Sequence, residues 1–211
     1  MKQAFLILCS FTILSVASAQ FTAGINANYT MYKGDFKKST PGIQIRLGYA
    51  ATEKTDFILS FNYGMPIKQA SSTILSDQNG NSASSVPSEI KYKFKTFNLI
   101  GHYNFIGDQE SLGKFYGLAG IGLVLLKYDE TVTGSYDKSA YTPANLLTGS
   151  ESGFTINLGI GGEYNIGGPS LFGEAGLALP ANTVNNQYVA NVIPAHFLIN
   201  LGVKINLTSA Q

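Results

Sequence analysis

Eight runs between Phe21 and Leu207 alternate apolar and polar residues, most of them one for one, and this repeat restricts the fold more than any other feature. Successive side chains of a strand point to opposite faces, so each run presents one oily face and one wet face. In the last run Phe197, Ile199, Leu201, Val203, Ile205 and Leu207 share the oily face. Asn200, Gly202, Lys204 and Asn206 share the other, with Leu198 the exception. A tilted strand of about 9–11 residues is long enough to cross a bilayer. One such strand could also edge a soluble sandwich, so the repetition carries the argument.

The first run sets Phe21, Ala23, Ile25, Ala27, Tyr29 and Met31 against Thr22, Gly24, Asn26, Asn28 and Thr30. The second sets Ile43, Ile45, Leu47, Tyr49 and Ala51 against Gln44, Arg46, Gly48 and Ala50; the third sets Phe57, Leu59, Phe61, Tyr63 and Met65 against Ile58, Ser60, Asn62 and Gly64. In the fourth, Phe97, Leu99, Gly101, Tyr103 and Phe105 are in phase, while Tyr92 and Phe94 are out of it. That break predicts a bulge or an upper extension near Lys95. The fifth run, Phe115 to Tyr128, is apolar on both phases. Glycine mostly falls on the polar phase elsewhere, so Gly120 and Gly122 are read as inward and Ala119, Ile121, Leu123 and Leu125 as outward. The sixth and seventh runs, Phe154–Ile166 and Leu171–Leu179, place Glu163 and Glu174 on the wet face.

Residues 1–19 read as a secretory signal peptide: Lys2, an apolar run from Ala4 to Val16, and the small-x-small site Ala17-Ser18-Ala19. The remainder, 20–211, reads as one all-β domain. The single cysteine, Cys9, falls inside the leader after a bulky Leu8, so neither a disulfide nor a lipidated cysteine is expected. Without Lys2 the basic count drops from 14 to 13 and equals the 13 acids. A neutral chain gives no reason to expect nucleic acid as a partner. After the leader, no segment approaches the roughly 18 apolar residues of a spanning helix.

The connections sort by length. Those after the first, third, fifth and seventh runs are long, with 66–90 and 129–152 the longest; those after the second, fourth and sixth are short. Such sorting suits an eight-stranded antiparallel up-and-down transmembrane β-barrel inserted from the periplasm, with short turns inside and long loops out. Closure also removes the unpaired strand edges that lipid does not tolerate. Aromatic residues sort too: Phe21, Tyr49, Phe57, Tyr103, Phe105 and Tyr164 lie near the short-turn ends, and Tyr29, Tyr63, Tyr128, Phe154 and Phe197 near the long-loop ends. Two interfacial girdles would look like this.

With eight such runs, and with segments such as Phe115-Tyr-Gly-Leu-Ala-Gly-Ile-Gly122, Phe172-Gly-Glu-Ala-Gly176 and Leu201-Gly-Val-Lys204, the chain resembles the small bacterial outer-membrane β-barrel domains of the OmpA/OmpX type, and in style the PorT-like barrels of Bacteroidetes. The resemblance spans nearly all of 20–211 and implies the outer membrane as location, with its lipid as surroundings. Asn200, Gly202, Ile205 and Leu207 are similar to the C-terminal signal that the barrel assembly machinery reads in that family, with aliphatic residues where aromatics are usual. The family hosts structural, adhesive and enzymatic members, so the fold does not name a role.

The chain offers no metal, nucleotide or other cofactor motif. The two histidines are His102 and His196. Ser60 and His102 lie on the wet phase of adjacent strands, and counting from the turn places them roughly opposite each other. Some small barrels are lipid A acyl-chain enzymes built on Ser and His, but those sites face the outer leaflet, whereas this pair falls in the lower lumen. An outer-membrane lipid-modifying enzyme therefore stays as one alternative. A secreted lipocalin-like binder is the other, although Arg46, Glu163, Glu174 and Lys204 are poor lining for a greasy pocket. The preferred reading is a non-enzymatic structural or surface-interaction barrel. In it Arg46 and Lys204 bridge Glu163 and Glu174, with Asn62, Asn200 and Gln44 completing a polar plug. His196 is expected at the membrane interface, and the partner of the long loops stays unspecified.

Overall fold

In the computed structural model, residues 20–33, 38–181 and 193–207 are described; the expected signal peptide, 1–19, lies outside them. All regular structure among the described residues is β-strand, in ten segments: β1 Gln20–Tyr32, β2 Ser39–Ala50, β3 Thr55–Gly64, β4 Ile67–Asp77, β5 Ser82–Ile106, β6 Gly113–Val132, β7 Tyr141–Ala144, β8 Thr148–Asn165, β9 Pro169–Pro180 and β10 His196–Asn206. No described helix is long and apolar enough to cross a membrane.

Eight of these strands close a ring in the order β1-β2-β3-β5-β6-β8-β9-β10, each antiparallel to its neighbours. The last strand closes on the first from Thr22↔Asn206 to Tyr32↔His196. Leu207 N–H adds a bond to Phe21 O at 2.7 Å. Both described ends of the barrel thus share one rim with the connections 51–54, 107–112 and 166–168. The tightest of these turns runs through Gly167 (φ 93) and Gly168 (φ 140), backbone angles that only glycine adopts without strain. Asn165 Oδ1 accepts the Gly167 N–H there at 2.9 Å.

Parity along each strand decides which residues meet lipid. Ile25, Ile45, Leu47, Leu59, Leu99, Ile121, Leu158 and Leu201 are all exposed on the outer wall, while Gln44, Arg46, Ser60, Asn98 and Glu174 are buried inside. This inverts the distribution of a water-soluble protein, and a belt of this kind is stable against lipid rather than water. It also removes the lipocalin alternative, which requires the apolar face inside. The doubly apolar fifth run resolves with Ile121 outward and Gly122 inward, where an added Cβ would sit 2.5 Å from Asn98 Oδ1.

The strand pairing corrects or decides four expectations. First, 66–90 and 129–152 are not simple loops. Pro66 interrupts the rim of β3, since it has no N–H for the ladder, and β4 then resumes beside the upper half of β5, from Ile67↔Tyr92 to Ser76↔Ser82. β6 runs on to Val132 opposite Ser88, and β7 adds to the far side of β4 from Ile74↔Ala144 to Asp77↔Tyr141. The result is a sheet extension rising from one side of the barrel. Second, of the bulge or upper extension expected near Lys95 the extension is the one found: β5 continues upward past Lys95 with unbroken pairing to β6, and the irregularity lies between Asn104 and Ile106. Tyr92 and Phe94 break the apolar phase because they keep the inward parity above the point where the lining turns from polar to apolar. Third, Tyr128 is not in the outer girdle: with Tyr92 it packs inside the mouth against Tyr32, Ile67, Phe94, Val124, Leu126 and Ile193. Fourth, the connection 33–38 is no longer than 107–112, so loop length sorts less cleanly than expected.

Candidate functional site

The strands point their polar faces into the lumen, and the lower half of that lumen is organised around Glu174 of β9. Arg46 of β2 reaches it with two parallel N–H···O bonds, Nη1 to Oε1 and Nη2 to Oε2, both 2.7 Å. Strands β1 and β10 separate these two in the ring, so the pair bridges the lumen instead of a ladder. Tyr116 of β6 donates its hydroxyl to Oε1 at 3.0 Å, and Asn200 of β10 donates Nδ2–H to Oε2 at 3.0 Å. His102 of β5 lies with Nε2 at 3.7 Å from Oε1 and stacks on the Tyr116 ring at 4.4 Å. The Arg46 guanidinium also covers the Phe172 ring at 4.0 Å. Room for Tyr116 comes from Gly161, where an added Cβ would stand 2.5 Å from the ring.

A second charged tier lies nearer the short turns. Lys204 Nζ sits 2.7 Å from Glu163 Oε2, and Lys114 Nζ sits 3.5 Å from the same oxygen and 3.4 Å from Asp56 Oδ2. Gln109, from the 107–112 turn, donates to Asp56 and accepts from Lys114 at 3.0 Å. Arg46, Lys114 and Lys204 thus face Asp56, Glu163 and Glu174, and the charges balance. Pairing matters because an ion left alone in such surroundings costs several kcal/mol.

Above Glu174 the lining is neutral. Gln44 Nε2–H and Asn98 Nδ2–H both donate to Ser60 Oγ (3.0 and 3.2 Å), Asn157 donates to Asn98 at 3.1 Å, and Asn28 donates to Asn62 at 2.8 Å. A cavity of about 40 Å³ lies among Gln44, Asn62, Asn98, Asn157 and Asn200. That is space for about three waters. The apolar cluster around Phe94 then covers the upper mouth, its Tyr32 ring stacked on Phe94 at 4.6 Å.

Of the residues singled out from the sequence, Arg46, Glu174, Asn200 and Gln44 come together in one tier. Glu163 and Lys204 form a separate pair below, and Asn62 belongs to the neutral lining above. Glu163 and Glu174 are two ladder rungs apart, each with its own cation, because Gly161 and not Glu163 is opposite Glu174. The Ser–His pair is not assembled. Register places Asn98 opposite Ser60 and Asp56 opposite His102, four residues away along each strand, or roughly 13 Å. His196 is no interface residue: it is buried, with Nδ1 3.1 Å from Pro194 O and its ring tilted over Tyr32 at 5.2 Å. In the terminal strand Asn200 is buried in the lumen, while Ile205 and Leu207 are exposed on the outer wall.

Sequence reasoning missed Lys114, Tyr116 and Asp56. The phase of Gly120 and Gly122, carried down the strand, marks Tyr116 and Lys114 as inward, and the phase of Ser60 does the same for Asp56. No group of three or more His, Cys, Asp or Glu that could hold a metal ion occurs among the described residues.

No family model and no curated protein matches the sequence. Solved structures do. The chain is similar to a major outer membrane protein from Thermus thermophilus (TM-score 0.63, 11% identity, 90% of this chain and 100% of that one). It is similar to Ail, the attachment invasion locus protein of Yersinia pestis (0.52, 13%, 90% and 99%). It is also similar to Neisserial surface protein A (0.52, 15%, 90% and 99%). Identities this low speak to architecture alone. Closure of β1 on β10, the apolar outer belt and these likenesses give the chain the fold of the small eight-stranded outer-membrane β-barrels.

Proposed function

We propose that this protein is an outer-membrane barrel of the structural or surface-interaction type, closed in its lumen and making its contacts through the extension above the rim. The observation that carries the closed lumen is the Arg46–Glu174 pair, which spans the barrel at 2.7 Å and is completed by Tyr116 and Asn200. An eight-stranded barrel leaves an interior that side chains alone can fill. Here a balanced set of charges fills the lower part and an apolar cluster covers the top. The contact surface is supported by position: residues 67–92 and 127–152 rise as β4, β7 and the upper parts of β5, β6 and β8, on a rigid scaffold where binding residues commonly sit.

Planar-bilayer recording of the purified, refolded barrel tests the closed lumen. No steady single-channel conductance is expected; a reproducible open level in the wild-type protein refutes it. Fractionation of cells, with heat-modifiable gel mobility as the folding check, tests the location. Recovery as soluble periplasmic material refutes that.

A further inference from the structure

The outer wall carries a lysine cluster that neither the lumen nor the rim contacts use. Lys91, Lys93 and Lys95 follow one another on the outward parity of β5. Lys127 of β6 lies directly opposite Lys93, and Lys68 of β4 directly opposite Lys91. Two acids share this wall. Glu89 is taken by Lys68 at 2.8 Å, and Asp129 stands opposite Lys91. Lys93, Lys95 and Lys127 have no ion pair among the described residues. Like charges directly opposite in a ladder repel, so this trio is arranged at a cost that an anion would remove.

Height decides which anion. Phe97, the next outward residue below Lys95, packs on Phe61 at 4.8 Å and lies level, across Leu123, with Phe154 of the outer aromatic girdle. Lys95 itself is level with Tyr63 on one side and Leu125 on the other. The lysines begin where the girdle ends, so their stems can lie along the apolar wall while the ammonium groups reach the headgroup layer. Among the described residues the opposite rim lacks such a wall: its turns carry Glu53, Asp108 and Glu110 against Lys54. The positive charge therefore faces one leaflet.

We propose that the wall of β4, β5 and β6 above Phe97 binds the phosphate groups of an outer-leaflet lipid headgroup, with Lys93, Lys95 and Lys127 as the contacts. This rests on the membrane reading above, and the test separates the two. Wild type and a Lys93→Gln/Lys95→Gln/Lys127→Gln variant are refolded into phosphatidylcholine vesicles, alone or mixed with a bis-phosphorylated glycolipid or its dephosphorylated form. The unfolding midpoint is read from heat-modifiable mobility. Insertion of both proteins into pure phosphatidylcholine reports the membrane reading. The phosphorylated lipid is expected to raise the wild-type midpoint on the order of 5–10 °C, the dephosphorylated lipid to leave it unchanged, and the variant to lose the rise. A Lys33→Gln/Lys38→Gln/Lys138→Gln control, with equal charge removed elsewhere, should keep it. An equal rise in the triple variant overturns the proposal. So does an equal rise with inorganic phosphate or with soluble heparin in place of the glycolipid, since the surface would then be a general anion site or a polysaccharide site.

Discussion

Replacing Arg46 by alanine removes the cation that holds Glu174 from across the lumen. Glu174 is 6% exposed and keeps only the Tyr116 hydroxyl, the Asn200 amide and a more distant His102. Removing one partner of a buried pair typically costs about 3–5 kcal/mol, because the other charge is left uncompensated. Loss of the guanidinium over Phe172 adds roughly 0.5–2 kcal/mol. For a chain of this size about 2–4 °C follows each kcal/mol, so the midpoint should fall by roughly 7–28 °C. Heat-modifiable mobility in vesicles reads it, with Lys68→Ala as the comparison. That lysine is 63% exposed in its bridge to Glu89, and such pairs are worth about 0–1 kcal/mol. A second arm removes both charges. Arg46→Met with Glu174→Gln should recover much of the loss, because the penalty is the orphaned ion and not the missing bond. An Arg46→Ala barrel as stable as wild type, or a double variant whose loss equals the sum of the single ones, refutes the reasoning.

Phe94→Ala should cost about 3–5 kcal/mol in denaturant unfolding, since Phe94 sits at the centre of the apolar cluster in the mouth. Gly161→Val should displace the Tyr116 ring and cost about 1–3 kcal/mol, measured the same way, whereas Gly167→Ala should strain only the turn. Protease added to whole cells should cut within 133–140 and at the Gln78–Asn81 turn while sparing 51–54; cleavage at 51–54 instead would reverse the topology. Asp77 is held below the usual carboxylate range by hydrogen bonds from Asn81 and its neighbours. Its contribution to the hairpin turn is therefore full above the ordinary carboxylate value of about 3.9 and lost as pH falls through the lower folded value. The protection factors of the Asn79 and Asn81 amides, each taken against intrinsic exchange at the same pH, should fall in acid.

The face of each residue was legible from the sequence because it is a local property. Period-two alternation sets Arg46, Glu174 and Lys204 apart from Ile45, Ala175 and Val203 whatever the rest of the chain does, and the phase of glycine extends the rule to a run as uniformly apolar as 115–128. Eight runs with an oily face then leave a closed barrel as the arrangement without bare edges. Register and closure are not local. Which residue stands opposite Ser60 depends on the pairing of β3 with β5, so Asn98 took the place expected of His102. The strand β4 carries no continuous lipid-facing apolar stripe because it stands above the apolar belt, and only its ladders to β5 and β7 order it. Whether Glu163 and Glu174 share a cation or draw on separate ones was decided by a two-rung offset between β8 and β9, a distance that alternation along either strand does not encode.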